Sequence, residues 1–303
     1  MRLIWGYEQV QNSILVLGMF DGVHMGHQAL VKKAFEIKAE SGLPVVVCTF
    51  ARHPLSVLHP EKKPPMLTTL SERIKAMARL RVDALCVLPF TRKTADISPM
   101  DFLSELTEAF HPKAIVVGYN YSFGKGGVGD GAFLRTQEER CGYQTLIVPP
   151  VEWEEEVVSS SRIRDLISKG DMMTANTLLT RAYGITGTVE QGKHIAGTLG
   201  FPTANLSLPK GKAIPRYGVY TALLRVDERV YPSVLNVGRH PTLPEGHATI
   251  EAHALHVKVD LYNKKIRISF LDFLRPEITF ENTEALKTQM AEDVKKAETF
   301  FQM

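Results

Sequence analysis

Two histidines three residues apart, His24 and His27, stand in the stretch GMFDGVHMGH at residues 18–27. Paired imidazoles can hold a metal or donate hydrogen bonds to phosphate. Zinc needs three or four ligands, and no third His, Cys or carboxylate stands at a diagnostic spacing. The surroundings favour phosphate. The stretch follows the apolar run SILVLG and leads into HQALVKKAFEIKAES, which has helical period. Free N–H groups in a glycine turn at a helix start form an anion site. Gly18, Gly22 and Gly26 let the backbone approach a phosphate closely. His24 and His27 then donate to phosphate oxygens from the first helical turn.

Two further stretches carry chemistry. In VSSSRIR, Ser160 and Ser161 sit where a helix begins, and Arg164 follows one turn later on the same face. Two hydroxyls, free N–H groups and a guanidinium suit phosphate oxygens. An isolated SSSR would more simply be a serine cap beside a surface arginine. In TIEAHALHV, alternation puts Glu251 and His253 on one face of a strand and Ile250 and Ala252 on the other. Glu251 is then either a solvated carboxylate or a base.

The elements that must position these groups fall into two rhythms. Up to about residue 183, strand candidates (SILVLG, VVVCTF, ALCVLPF, AIVVG, QTLIVPPV) alternate with helical stretches (LTTLSERIKAMARLR, SPMDFLSELTEAF, GAFLRTQEERC). That alternation predicts a parallel sheet with helices on both faces and a ligand crevice at the carboxyl ends of its strands. Beyond Tyr183 the texture is β-rich: ITGTVEQG, GVYTALLRV, YPSVLNVG, TIEAHALHV and KIRISFLDF, separated by Gly, Pro or charged turns. A small antiparallel barrel or sandwich is expected there. A final helix, TEALKTQMAEDVKKAETFF, would bury Leu286, Met290, Ala297 and Phe301. The predicted domains are 1–183 and 184–303, with the boundary near 181–186.

Bulk properties narrow the partners. The 303 residues hold 44% hydrophobic residues, enough for two cores. A net charge of +3, from 36 basic and 33 acidic residues, is too small and too interspersed for nucleic acid as the main partner. Three cysteines without a C-x-x-C pair read as reduced thiols. With no basic leader and no apolar run near the ~20 residues of a membrane span, a native start and a cytoplasmic location are expected. No membrane partner is implied, and an oligomer is compatible with the sequence.

The opening stretch resembles the G-x-F-D-G-x-H-x-G-H signature of a nucleotidyltransferase group. VVGYNYSFGKGGVGD (116–130) resembles the G-Y-x-F-x-F-G-K block of bacterial FAD synthetases, and 158–183 resembles their S-S-T-x-I-R helix. LGFPTANL (199–206) is similar to the riboflavin-kinase signature. In order and spacing, essentially the whole chain resembles the bacterial bifunctional riboflavin kinase and FMN adenylyltransferase family. The resemblance implies a Rossmann-like adenylyltransferase domain followed by a β-barrel kinase domain with a C-terminal helix. It implies two reactions: riboflavin to FMN with ATP, then FMN to FAD with release of pyrophosphate.

It also implies roles. His24, His27, Ser160, Ser161 and Arg164 serve adenylyl transfer, Gly18, Phe20, Asp21, Gly22, Gly26 and Asn120 bind nucleotide, and Phe123 stacks on the flavin. Glu251 is the kinase base, and Thr203 and Asn205 hold Mg²⁺. Gly192, Gly200 and Pro202 shape the nucleotide loop, and Arg275 binds flavin. His53, Pro54, Lys125 and Asp130 fall in matching blocks with less definite roles. The chain departs from the family where Ala196-Gly197 replaces a common Gly-Arg pair, and again at 256–263, whereas Arg275 and the NVGRHPT block (236–242) match. Three rivals follow: a monofunctional FAD synthetase with a degenerate barrel, an inactive flavin-binding regulator, and an adenylyltransferase for another small phosphate.

Overall fold

A strand that is apolar at nearly every position must be covered on both faces, which is the situation of a parallel sheet between helices. Four such strands form the middle of the first sheet: β2 (Ser13–Leu17), β3 (Val45–Phe50), β4 (Ala84–Leu88) and β5 (Pro112–Gly118). The computed structural model describes residues 1–190, 204–239, 248–257 and 261–303. They divide into two compact units, Met1–Ser160 and Ser161–Met303.

In the first unit the strand order is β1-β4-β3-β2-β5-β8, with all five pairings parallel. Strand β1 (Arg2–Trp5), which the sequence rhythm did not single out, forms one edge and β8 (Gln144–Val148) the other, while β6 (Ser122–Phe123) pairs with β7 (Gly129–Asp130) and β9 (Glu152–Trp153) with β10 (Glu156–Val157) outside this sheet. Alternate residues of the central strands enter two separate cores. Leu15, Leu17, Val46 and Cys48 pack with Phe102, Leu103, Leu106 and Phe110 of the helix Pro99–Phe110. Ile14, Val16, Val45 and Val47 pack with Leu30, Val31 and Ala34 of α1 (Met25–Ser41) and with Ala76 and Met77 of α2 (Leu70–Arg79). The stretch GAFLRTQEERC divides at Gln137 into two short helices, Gly131–Thr136 and Glu138–Cys141.

From β2 the chain builds outward through β3 and β4, then returns to the other side of β2 with β5 and β8. The order of connection therefore reverses between β2 and β5, and a doubly wound sheet opens its ligand crevice at such a point. The loops that leave the carboxyl ends of these two strands are GMFDGVHMGH and the one carrying Asn120.

The second unit resolves the choice between barrel and sandwich. Six antiparallel strands close in the order β11-β12-β15-β14-β13-β16. They are β11 (Gly184–Glu190), β12 (Ala204–Ser207), β13 (Gly218–Val226), β14 (Arg229–Arg239), β15 (Ala248–Ala254) and β16 (Lys265–Arg275). Inward residues such as Tyr220, Leu235, Val237, Ile250 and Ala252 are buried, as are Ile266, Ile268 and Phe270. The chain ends in α5 (Thr283–Phe301).

Two helices before the barrel, α3 (Ser160–Lys169) and α4 (Met172–Leu179), belong with it by contact. The Asn176 amide donates to the Phe270 carbonyl at 2.9 Å and its oxygen accepts from the Tyr183 N–H at 2.6 Å. The Arg216 N–H donates to the Ile167 carbonyl at 3.1 Å. Met172, Ala175, Leu178 and Leu179 are buried. A fragment spanning 161–303 should therefore be more stable than one spanning 184–303 by at least about 3 kcal/mol, the burial of two large apolar side chains. Urea unfolding of the two purified fragments checks this, and equal midpoints would mean that α3 and α4 add nothing to the barrel.

Candidate functional site

The turn between β2 and α1 is bought with strained backbone. Phe20 has φ 53°, Gly22 φ 87° and Val23 φ 46°. Glycine adopts this region freely, but a bulky or β-branched residue does so at a cost of about 1–3 kcal/mol. Contacts from three segments hold it. The Asp21 carboxylate, 2% exposed, accepts from the Leu67 N–H at 3.0 Å, the Thr68 N–H at 2.9 Å and the Thr68 hydroxyl at 3.0 Å. The Gly22 N–H donates to the Thr68 hydroxyl oxygen at 3.1 Å. The Gln28 amide donates to the Val23 carbonyl at 2.9 Å, and the Ser160 hydroxyl to the Asp21 carbonyl at 2.9 Å.

Below the turn lies Arg73, 1% exposed. One of its terminal nitrogens donates to the carbonyls of Met19 (3.0 Å) and Phe50 (2.8 Å) and to the Thr49 hydroxyl (2.8 Å). Burial lowers its pKa, and the charge of Asp21 opposes that shift. These partners are neutral oxygens, so a buried positive charge sits beneath the carboxyl ends of β2 and β3. Nothing in SERIKAMAR distinguishes Arg73 from a surface arginine, and sequence reasoning missed it.

His24 caps α1 and His27 lies in its first turn. Their rings stack at 3.7 Å between centroids, and His27 also meets Phe20 at 5.1 Å. A Cβ at Gly26 would lie 3.2 Å from the His24 ring, so glycine there lets the imidazole fold over the helix start. At Gly18 a Cβ would lie 3.1 Å from the Phe20 ring. Two imidazoles at a helix N-terminus, on a turn whose Met19 carbonyl is held by the buried Arg73 guanidinium, form a corner suited to phosphate oxygens. Among the described residues no group of three or more His, Cys, Asp or Glu could hold a metal.

The remaining first-unit residues are placed as follows. Asn120 is exposed in the loop after β5. Phe123 is 8% exposed, with its ring 5.6–5.8 Å from those of Tyr121, Phe102 and Phe133. It is a member of the core beneath the sheet, with little free ring face. Ser160 opens α3; Ser161 is exposed and Arg164 half-buried one turn along the same helix.

In the barrel, strand register assembles the second set. Arg275 pairs with Val219, Val219 with Asn236, Asn236 with Glu251, and Glu251 with Asn205. Directly opposed residues point to the same side of a sheet. One row across five strands therefore carries an arginine, two amides and a carboxylate, while Ile250 and Ala252 point into the barrel. A cavity of about 300 Å³ lies against this row, between the outer barrel face and α5. Val219, Asn236, Glu251, His253 and Arg275 line it from the strands, and Leu286, Met290, Asp293 and Val294 from the helix. Gly192, Gly200, Pro202 and Thr203 lie outside the described residues, as do Ala196 and Gly197.

Helix α5 differs from its expected stripe. Of that stripe Ala297 is buried while Leu286, Met290 and Phe301 are half-buried, and Asp293, 3% exposed, stands among them. It forms a two-pronged ion pair with Arg275, at 2.7–3.1 Å. The helical spacing 286, 290, 293, 297 was visible in the sequence; the charge hid its third member.

The family profile described as FAD synthetase matches residues 7–162, and that described as riboflavin kinase matches residues 179–301. A bifunctional riboflavin kinase/FMN adenylyltransferase of Listeria monocytogenes is 34% identical over 292 residues, covering 96% of this chain and 93% of the relative. The protein of the same description in Bacillus subtilis is 32% identical, with 97% and 94% covered. That of Escherichia coli K12 is 32% identical, with 99% and 98% covered. Among solved structures, a Streptococcus pneumoniae protein described as a macrolide-efflux protein superposes with a TM-score of 0.91 at 29% identity, covering 98% of this chain and 99% of that one. Among the described residues of the present chain no helix is long and apolar enough to cross a membrane.

Asp21 is the most connected side chain of the histidine turn. Asp21→Ala should destabilise the first unit by about 2–4 kcal/mol, because two buried N–H groups lose their acceptor. Chemical denaturation followed by circular dichroism measures this. A loss below about 0.5 kcal/mol would show that the turn holds itself without the carboxylate.

Proposed function

This chain belongs to the bifunctional riboflavin kinase/FMN adenylyltransferase family, and from that premise we propose how its residues divide the two reactions. It phosphorylates riboflavin to FMN with ATP and then adenylylates FMN to FAD. One observation carries the division of labour: the strained histidine turn lies in one compact unit, and the row from Arg275 to Asn205 lies in the other.

In adenylyl transfer, an oxygen of the FMN phosphate forms a bond to the α-phosphorus of ATP while the bond to the bridging oxygen breaks and pyrophosphate leaves. A phosphate monoester is already largely an anion at neutral pH, so positioning and charge stabilisation suffice without a base. His24, His27 and the N–H groups of the glycine turn meet the triphosphate, with the Arg73 charge behind them. Ser160, Ser161 and Arg164 receive the departing pyrophosphate. Asn120 holds nucleotide, and Phe123 offers its remaining edge to the flavin.

In the kinase reaction, the ribityl 5′-oxygen bonds to the γ-phosphorus, ADP leaves, and the hydroxyl proton goes to Glu251. A hydroxyl is a poorer nucleophile than a phosphate, so here a base helps. Asn236 and His253 lie beside Glu251 in the cavity wall and offer polar contacts to the alcohol. The apolar residues opposite them suit a planar ring. Mg²⁺ is part of the proposal, with Thr203 and Asn205 as its protein ligands. The described portion fits: Asn205 stands directly across from Glu251, an all-oxygen pair of the kind Mg²⁺ accepts. When bound, the ion neutralises charge on the transferring phosphates.

The division into catalytic domains at 1–183 and 184–303, a cytoplasmic location and small molecules as the partners complete the proposal. Free thiols at Cys48, Cys86 and Cys141 accord with a reducing compartment.

Two variants test the division. His27→Ala should lower FAD formation from supplied FMN by roughly 10²–10³, the scale of one preorganised donor, and leave FMN formation in place. Glu251→Gln should lower FMN formation by ~10²–10⁴ and leave FAD formation near wild type. Chromatographic separation of FMN from FAD reads both. Parallel loss of the two products in either folded variant would overturn the assignment.

A further inference from the structure

Among the described residues the wall of the barrel cavity carries three carboxylates, Glu251, Glu277 and Asp293, one imidazole, His253, and one guanidinium, Arg275. That guanidinium is not a free cation. Its Nε donates to the two Asp293 oxygens at 2.9 and 3.1 Å, and one terminal nitrogen donates at 2.7 Å. The other terminal nitrogen donates to the Pro276 carbonyl at 3.0 Å. The side chains of Asp293 and Arg275 are 4% and 15% exposed, so water screens the pair weakly. Gln289, one turn earlier on α5, donates to Asp293 at 3.2 Å and fixes the carboxylate from its own helix.

We propose that Asp293 is a positioning and specificity residue of the kinase site: it orients Arg275 and cancels its charge, so that the cavity prefers the uncharged alcohol to its phosphorylated product. This rests on the reading of the barrel as the kinase site. Substrate and product share the ring and the ribityl chain. They differ by a phosphate monoester carrying about −1.5 to −2 charge at pH 7. An uncompensated arginine in this wall would attract that charge and retain the product. With Arg275 neutralised by Asp293, that guanidinium leaves no net positive charge to hold the phosphate. An enzyme whose product is the substrate of a second reaction has to release it, and the ion pair serves that release. The pair also fastens α5 to the end of β16, but fastening alone predicts no preference between two ligands that differ only in charge.

The test uses the full chain and follows transfer of labelled γ-phosphate from ATP to riboflavin, counting label in FMN and FAD together, with unlabelled FMN as inhibitor. The quantity read is the ratio of the FMN inhibition constant to the riboflavin KM. Asp293→Asn should lower this ratio roughly 5- to 20-fold, since it frees a weakly screened cation. Arg275→Gln should raise it, because it leaves Asp293 as an extra uncompensated anion. The double variant should return to within about threefold of wild type, as coupled partners do. Opposite shifts cannot arise from loosened packing alone. A ratio that is unchanged in the single variants, or that moves the same way in both, overturns the proposal. Should Asp293→Asn fail to fold, an unchanged ratio in Arg275→Gln overturns it equally. A wild-type protein that transfers no label to riboflavin overturns the kinase reading as well; a working kinase whose ratio ignores these changes overturns this proposal alone.

Discussion

A backbone turn held in a left-handed conformation by non-glycine residues survives only when its surroundings leave it no alternative, and in this protein one buried carboxylate supplies much of that constraint. Asp21 accepts three hydrogen bonds from the segment 67–68, while its own carbonyl receives the Ser160 hydroxyl. With Phe20, Gly22 and Val23 fixed in this way, His24 is set at the start of α1 and its ring lies against His27. The same fixing aims the first N–H groups of α1 at the crevice between β2 and β5. Strain in the turn, preorganisation of the imidazoles and affinity for a phosphate are thus links of one chain. Arg73 adds charge from beneath without occupying the crevice.

The barrel reaches the same end by a different route, because its site depends on register rather than on a strained loop. Antiparallel pairing carries one row of side chains from Arg275 through Asn236 and Glu251 to Asn205. A slip of one residue in β15 would turn Glu251 into the barrel and Ile250 out to the cavity, exchanging the proposed base for a core residue. Burial of Ile250 and Ala252 therefore specifies where the carboxylate points. Helix α5 then closes the outer face with Leu286 and Met290, and its one buried charge is answered by Arg275.

Much of this was legible in the residues. Nearly continuous apolar runs gave the parallel sheet, and the shift to short alternating strands after Tyr183 gave the β-rich half. The glycine turn was readable because each glycine sits where a Cβ would collide or where φ is positive, as at Gly26 and Gly22. What was hidden had a common cause: groups whose partners lie far away in sequence. The structural role of Asp21 was hidden because the N–H groups that donate to its carboxylate lie 46 and 47 residues away. Arg73 and Asp293 looked like solvated charges because only the tertiary fold buries them. Strand β1 was missed because four residues at a sheet edge, with one buried position, carry little periodicity. The affiliation of α3 and α4 with the barrel was equally invisible, since it rests on hydrogen bonds from Asn176 to Phe270 and from Arg216 to Ile167.

The central claim is that one chain carries two phosphorus chemistries at two separate sites, run in sequence. The most direct measurement is a time course of purified protein with riboflavin, ATP and Mg²⁺, in which the two flavin products are separated and quantified. The account predicts that FMN appears first without delay, that FAD follows after a lag, and that FMN passes through a maximum as it is consumed. FAD formed from added FMN, with no FMN ever formed from riboflavin, would contradict it.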